Sequence, residues 1–178
     1  MKIVGIIAEY NPFHKGHEFH LEKAKKITGA DAAIIIMSGD YVQRGIPSIM
    51  PKHLRTQMAL ACGADVVLEL PVCYATGSAE YFATGAVSLL EALGCVGYLC
   101  FGSECGEIKL LQQIADVLCK EPAHYKVLLQ KHFKNGNTFP AARKLAFIEY
   151  LNQHKSLSCI PEQISAILDS PNNILGIE

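Results

Sequence analysis

The residues Ile6-Ile7-Ala8-Glu9-Tyr10-Asn11-Pro12-Phe13-His14-Lys15-Gly16-His17 constrain this chain more than any other stretch. They read as a buried strand, a tight turn and a helix start, with two histidines around a glycine. Glycine at a helix N-terminus lets a phosphate approach the backbone, where unpaired N–H groups and the helix dipole attract an anion. Two imidazoles in the same turn can donate hydrogen bonds to phosphate oxygens as charge develops there. The pattern points to chemistry on a nucleotide, and it requires a strand that leads straight into a helix.

The rest of the chain repeats that alternation. An Ile/Val-rich strand over 2–8 is followed by helix formers over 17–28, ending near Gly29. A second apolar run at 32–37 leads into a polar loop at 38–50 that holds Gly39, Gly45 and Pro47. Pro51 suits the first turn of a helix and Gly63 its end. A third strand spans 64–70 and stops at Pro71, a helix spans 78–93, and a fourth strand spans 95–101 and runs into Gly102-Ser103-Glu104. Apolar strands alternating with helices predict an α/β fold: a Rossmann-like parallel sheet with helices on both faces. Such sheets bind ligands at the carboxyl ends of their strands. The opening turn, the 38–50 loop and Gly102 should therefore share one edge.

Beyond about residue 106 the pattern is helical, with helices expected at 107–119, 122–134, 140–153 and 161–169. Pro122, Gly136, Pro140 and Pro161 punctuate them. Residues 1–105 are read as the core and 106–178 as a helical extension of the same domain. The closing run Pro171-Asn172-Asn173-Ile174-Leu175-Gly176-Ile177-Glu178 reads as a helix beginning, so a longer protein with a further C-terminal region is expected.

With 178 residues, half of them hydrophobic and 19% charged, the chain should fold around a substantial core. It has no apolar run of bilayer length and no signal-peptide pattern, so a cytoplasmic protein is expected. A net charge of −1 gives no global basic footprint for nucleic acid. Lys23, Lys25 and Lys26 on one helix, and Lys126, Lys131, His132 and Lys134 on another, fit solvated faces better than an RNA patch. The seven cysteines (Cys62, Cys73, Cys95, Cys100, Cys105, Cys119 and Cys159) are odd in number and lack C-x-x-C spacing. Buried reduced thiols fit them better than a zinc knuckle or a disulfide framework.

His14 and His17 are the catalytic candidates. A competing reading makes His14, His17 and His20 metal ligands, since His17 and His20 can share a helical face. Gly16 has no role in that reading, and no metal site is expected. Arg44, Lys52 and Arg55 are candidate contacts to a phosphate or to a carboxylate. Pairing with a surface acid suits Arg55 equally well. Glu69 either faces the site from a strand end or is paired structurally, and Asp65 reads as a turn residue. Gly102 would let an adenine ring lie flat against the backbone. The pair Asn172-Asn173 would cap a helix.

The strand–turn–helix placement of His14-Lys15-Gly16-His17 is the arrangement of nucleotidyltransferases with an (H/T)-x-G-H motif. Longer stretches narrow the resemblance: VGIIAEYNPFHKGHEFH at 4–20, MSGDYVQRGIPSIMPKHLRTQMAL at 37–60, ADVVLELP at 64–71, FGSECGEIK at 101–109 and SPNNILGIE at 170–178. Together they resemble the bacterial tRNA(Met) cytidine acetate ligases over the whole chain. That resemblance implies ATP-dependent activation of acetate to acetyl-adenylate. The acetyl group then passes to N4 of the wobble cytidine of elongator tRNA(Met). It implies ATP as substrate, Mg²⁺ on its phosphates, and no membrane or DNA partner. It maps the ATP site onto Ile7, Ala8, Glu9, Tyr10, Asn11, Pro12, Phe13, His14, Lys15, Gly16, His17, Glu18, Phe19, His20, Gly102 and Asn172.

Lys15 departs from the asparagine expected in close relatives. The family's ATP-site arginine lies downstream of Asn172, past Glu178, so weakened activity is expected of these residues alone. The tRNA is expected to need the region beyond. Two alternatives stand beside this reading. One is a nucleotidyltransferase of the same fold with another acceptor, such as a pantothenate or nicotinate nucleotide. The other is a non-catalytic ATP- or RNA-binding module.

Overall fold

The Ile/Val-rich N-terminal run forms strand β1 (Ile3–Ala8), in which Ile3, Val4 and Ile6 are buried. The computed structural model describes residues 1–154 and 161–178. After β1 come helix α1 (Lys15–Thr28), strand β2 (Ala32–Ser38), a 3-10 turn at Gln43–Gly45, and helix α2 (Lys52–Ala61). Strand β3 (Val66–Leu70), the one-turn helix α3 (Val72–Ala75), helix α4 (Ala79–Ala92) and strand β4 (Tyr98–Cys100) follow. The described residues sort into two compact units, Met1–Gly102 with Glu178 and Ser103–Ile177.

The first unit holds a parallel sheet of order β3-β2-β1-β4. In register, Ile6 lies between Ile35 of β2 and Cys100 of β4. Alternate residues of a strand face opposite sides. Val4, Ile6, Ala33, Ile35 and Met37 pack with Leu21 and Ala24 of α1, Ala59 of α2, and Tyr10. Gly5 points the other way, where α4 approaches so closely that a Cβ would come within 2.7 Å of Leu90 Cδ1. Helices therefore cover both faces, as the alternation predicts.

Three details differ from the sequence reading. Strands β3 and β4 are shorter than expected, because both are edge strands with a ladder on one side only, and 95–97 forms a connection ahead of β4. Helix α3 was not foreseen, since four residues after Pro71 carry no helical period. The six described cysteines are free thiols but none is fully buried; Cys73, Cys95 and Cys119 are exposed on α3, on the connection before β4 and on the outer side of a helix. Cys159 lies outside the described residues.

The second unit is helical: α5 (Ile108–Lys120), α6 (Ala123–Lys134), α7 (Phe139–His154), α8 (Pro161–Asp169) and α9 (Pro171–Ile177). Leu110, Leu111, Ile114 and Leu118 form the buried stripe of α5 at helical spacing. Tyr125 of α6 meets Phe147 and Tyr150 of α7 edge-on. Among the described residues no helix is long and apolar enough to cross a membrane.

Ile6 is fully buried in a central strand. Ile6→Ala should cost about 2–5 kcal/mol, read by urea unfolding, because the gap cannot collapse inside the sheet layer. A loss below about 1 kcal/mol would contradict that placement.

Candidate active site

All neighbouring strands run parallel, so the segments after β1, β2, β3 and β4 leave from one edge of the sheet. Strand β1 feeds α1, which packs on one face, while α4 on the other face feeds the neighbouring β4. The chain therefore diverges between β1 and β4. The opening outside their carboxyl ends is the topological switch point, the usual ligand crevice of an open α/β sheet. Ile7 and Ala8 end β1 there, and Phe101 and Gly102 follow β4. A side chain at position 102 would meet nothing within 4 Å, so the backbone at Gly102 is open.

Residues 9–17 form the turn at this point. Tyr10 takes a left-handed φ of 49° and is buried, with its ring 4.8 Å from both Phe13 and His17. His14 is the N-cap of α1, and its Nδ1 accepts from the Gly16 N–H at 3.1 Å. His17, three positions on, returns the bond: its Nδ1 accepts from the His14 N–H at 3.3 Å. This is a capping box with histidines in place of the usual hydroxyl and carboxylate residues. The rings stack with centroids 3.7 Å apart. Gly16 is required for close approach, because a Cβ there would come within 2.9 Å of the His14 ring.

The cap sets the tautomer. A ring nitrogen that accepts an N–H bond carries no proton, so each neutral ring holds its proton on Nε2. Both Nε2–H donors are left unused by the cap. Burial, with His14 and His20 nearby, pushes the His17 pKa down to about 4, so this ring is neutral at physiological pH. Burial also lowers the His20 pKa; its Nε2 lies 3.6 Å from Cys100 Sγ, a thiol that burial pushes up. Lys15 and Phe19 point to solvent, and Glu18 sits in the first turn, where the helix dipole favours an acid.

The 38–50 loop is latched onto this turn. Glu9 Oε1 accepts from the Gln43 N–H at 2.8 Å, and Asn11 Oδ1 accepts from the Ile49 N–H at 2.7 Å. The loop folds on itself through Val42 N–H to Ile46 O and Ser48 N–H to Asp40 O, both 2.9 Å. Arg44 is exposed in its 3-10 turn with φ 69°. Lys52 Nζ donates to both Glu69 oxygens at 2.8 Å, so Glu69 is paired structurally at its strand end and two of the three Lys52 donors are engaged. Asp65 does more than form a turn: it pairs with Lys25 at 2.6 Å and accepts from Ala33 N–H, contacts that hold its carboxyl below the usual range.

Arg55 requires a correction. Neither a phosphate or acetate contact nor a surface ion pair fits its side chain, which is wholly buried. The guanidinium donates to the main-chain carbonyls of Glu9, Ser38, Gly39 and Met50. Its position four residues before buried Ala59, on the inner stripe of α2, was the signal available in the sequence. Burial lowers its pKa, and Asp40, Glu9 and Glu69 oppose that through space.

In the helical unit, Asn172 is exposed and donates through Nδ2 to Glu104 Oε1 at 3.0 Å. The asparagine pair does not cap α9 with its own side chains. Glu104 does so, accepting from the Asn172 and Asn173 N–H groups at 3.3 and 3.0 Å. Asn173 is buried, and its Oδ1 accepts from Ser103 Oγ at 2.7 Å and Glu104 N–H at 3.0 Å. No local spacing announces a partner so far away in sequence. The lysine-rich face of α6 is partly neutralised, with Lys131 and His132 on Glu149 and Lys126 on Glu121. Among the described residues no group of three or more His, Cys, Asp or Glu is placed to hold a metal. The His14/His17/His20 ligand reading is not supported: each cap Nδ1 accepts a main-chain N–H, and a neutral ring held that way carries a proton rather than a lone pair on Nε2.

A family model described as HIGH Nucleotidyl Transferase matches residues 1–178. A protein from Acetivibrio thermocellus named tRNA(Met) cytidine acetate ligase is 51% identical over all of this chain, which covers 41% of that relative. A Clostridium perfringens protein of the same name is 48% identical over all of this chain, which covers 44% of it. A crystal structure of Thermotoga maritima TmcAL bound with alpha-thio ATP superposes with a TM-score of 0.92 at 42% identity, over 99% of this chain and 42% of that one. The apo form of the same protein gives a TM-score of 0.93 over 99% and 41%. The chain thus spans less than half the length of the relatives it matches.

The His17 pKa fixes a pH window. The unfolded ring takes up a proton below its ordinary 6.5, whereas the folded ring refuses it until about 4. The unfolded state then binds more protons, so the stability due to neutral His17 is full above 6.5 and is lost as pH falls toward 4. Urea midpoints of wild type should fall relative to His17→Gln across that window; a difference that does not change with pH would contradict the assignment.

Proposed function

Because this chain belongs to the HIGH nucleotidyl transferase family, we propose that its histidine turn is the adenylating site of a tRNA(Met) cytidine acetate ligase. One observation carries the reading: His14 and His17 cap α1 reciprocally and leave two Nε2–H donors at the switch point of the sheet. Relatives bearing that name, 51% and 48% identical over the whole chain, support the choice of reaction. The family match runs through both units, which favours reading 106–178 as an extension of the nucleotidyltransferase domain. A tRNA substrate makes the cytoplasm the place of action.

In this account the triphosphate of ATP lies over the turn at 13–17, and the adenine rests against the open backbone at Gly102. An acetate oxygen attacks the α-phosphorus in line, a new P–O bond forms, and the bond to pyrophosphate breaks. Acetate is ionised at neutral pH, so the step needs no general base. The chain contributes positioning and hydrogen-bond donors for the charge that develops on the phosphorus oxygens. Neutral His17 supplies a donor rather than a proton. Mg²⁺ would accompany the phosphates and neutralise part of their charge; among the described residues no group of three or more His, Cys, Asp or Glu is placed to hold a metal. The N4 amine of the wobble cytidine of elongator tRNA(Met) then attacks the acetyl carbonyl, and AMP leaves.

The test is ATP–pyrophosphate exchange by the whole protein that carries this chain, with acetate, a pantothenate nucleotide or a nicotinate nucleotide as acceptor. Exchange should depend on acetate and fall by about 10²–10³ in His17→Ala, the usual cost of losing one such donor. Equal rates in both proteins, or exchange with another acceptor instead, would contradict the reading. ATP binding with no exchange would favour the binding-module alternative.

A further inference from the structure

Arg55 is fully buried, yet its hydrogen bonds all run to main-chain carbonyls. Those carbonyls belong to three separate segments: Glu9 after β1, Ser38 and Gly39 at the end of β2, and Met50 before α2. Keeping a charge inside a protein is costly, and a well-packed apolar residue would serve a core at least as well. What an apolar side chain cannot do is span three backbone segments. The planar guanidinium, with five donors in a fixed fork, can.

The segments it joins are those that frame the histidine turn. Glu9 is held twice: its carbonyl accepts from Arg55 of α2, and its side chain accepts from the Gln43 N–H of the 38–50 loop. Asn11 adds the bond to Ile49 N–H. Between them sits Tyr10, whose buried ring packs on His17. A shift of the Glu9 carbonyl is therefore passed through Tyr10 to the imidazole that faces the ligand. We propose that Arg55 is a positioning residue of the nucleotide site: it braces the turn after β1 against the loop after β2, so that the phosphates meet the two histidines at a fixed place, and it does not touch the nucleotide. The proposal rests on the reading of that turn as the nucleotide site.

The experiment uses Arg55→Lys, which keeps the charge but loses the fork, and Arg55→Met, which keeps the stem and loses both. Circular dichroism and urea unfolding establish that each variant folds, and calorimetry measures ATP and adenosine binding. Both folded variants should bind ATP about tenfold or more weakly, because small misplacements of positioned groups are costly. Adenosine binding, which does not use the phosphate-facing histidines, should stay near wild type. Unchanged ATP affinity in both variants overturns the proposal. So does full rescue by lysine, which would assign the effect to charge alone, or an equal loss for adenosine, which would mean general loosening.

If neither variant folds, hydrogen exchange on wild type decides. ATP should slow exchange at the Gln43 and Ile49 amides together with that of Gly16, whereas protection confined to 14–17 overturns the brace. A wild type that binds ATP without acetate-dependent exchange refutes the acetate reading and leaves the brace standing. A wild type that binds no ATP refutes both.

Discussion

The reciprocal hydrogen bonds between His14 and His17 are the contact on which the rest of the site depends. A helix N-terminus exposes N–H groups that need acceptors. Here the acceptors are the Nδ1 atoms of two imidazoles, so one pair of bonds starts the helix and selects the tautomer of both rings. Helix α1 then packs Leu21 and Ala24 on the sheet, and the cap leaves the Nε2 side of both rings unused. The His14 ring lies so close over the helix start that Gly16 has no room for a side chain.

The cap would be imprecise without its frame. Glu9 and Asn11 hold the 38–50 loop with their side chains, and Arg55 gathers carbonyls from both sides. Lys52 and Glu69 close the outer end. Several polar residues near the site thus act on the backbone rather than on a ligand. Charge near a crevice is a weak guide to ligand contact when buried carbonyls also need donors.

What was legible in the sequence was local. The strand read at 2–8, a helix start in the histidine turn and the stop at Gly29 each follow from neighbours a few residues apart, and the parallel sheet follows from their alternation, whereas the use of His14 itself as the cap shows only in the structure. What was not legible depends on distant partners. Arg55 reaches carbonyls 5 to 46 residues away, and Glu104 caps α9 across 68 residues. The edge strands were over-extended because apolar composition does not say where a ladder loses its partner. Helix α3 is too short to show a period, and half-exposed cysteines look like buried ones in an apolar run.

The central claim is that the cap presents two Nε2–H donors to the phosphates of ATP. Nitrogen-15 NMR of the imidazoles at neutral pH, with and without ATP, tests it most directly. His14 and His17 should both carry their proton on Nε2, with Nδ1 bare, and ATP should shift both Nε2–H signals while the tautomers persist. A proton on Nδ1 of either ring, or ATP binding that leaves both Nε2–H signals unmoved, would contradict it.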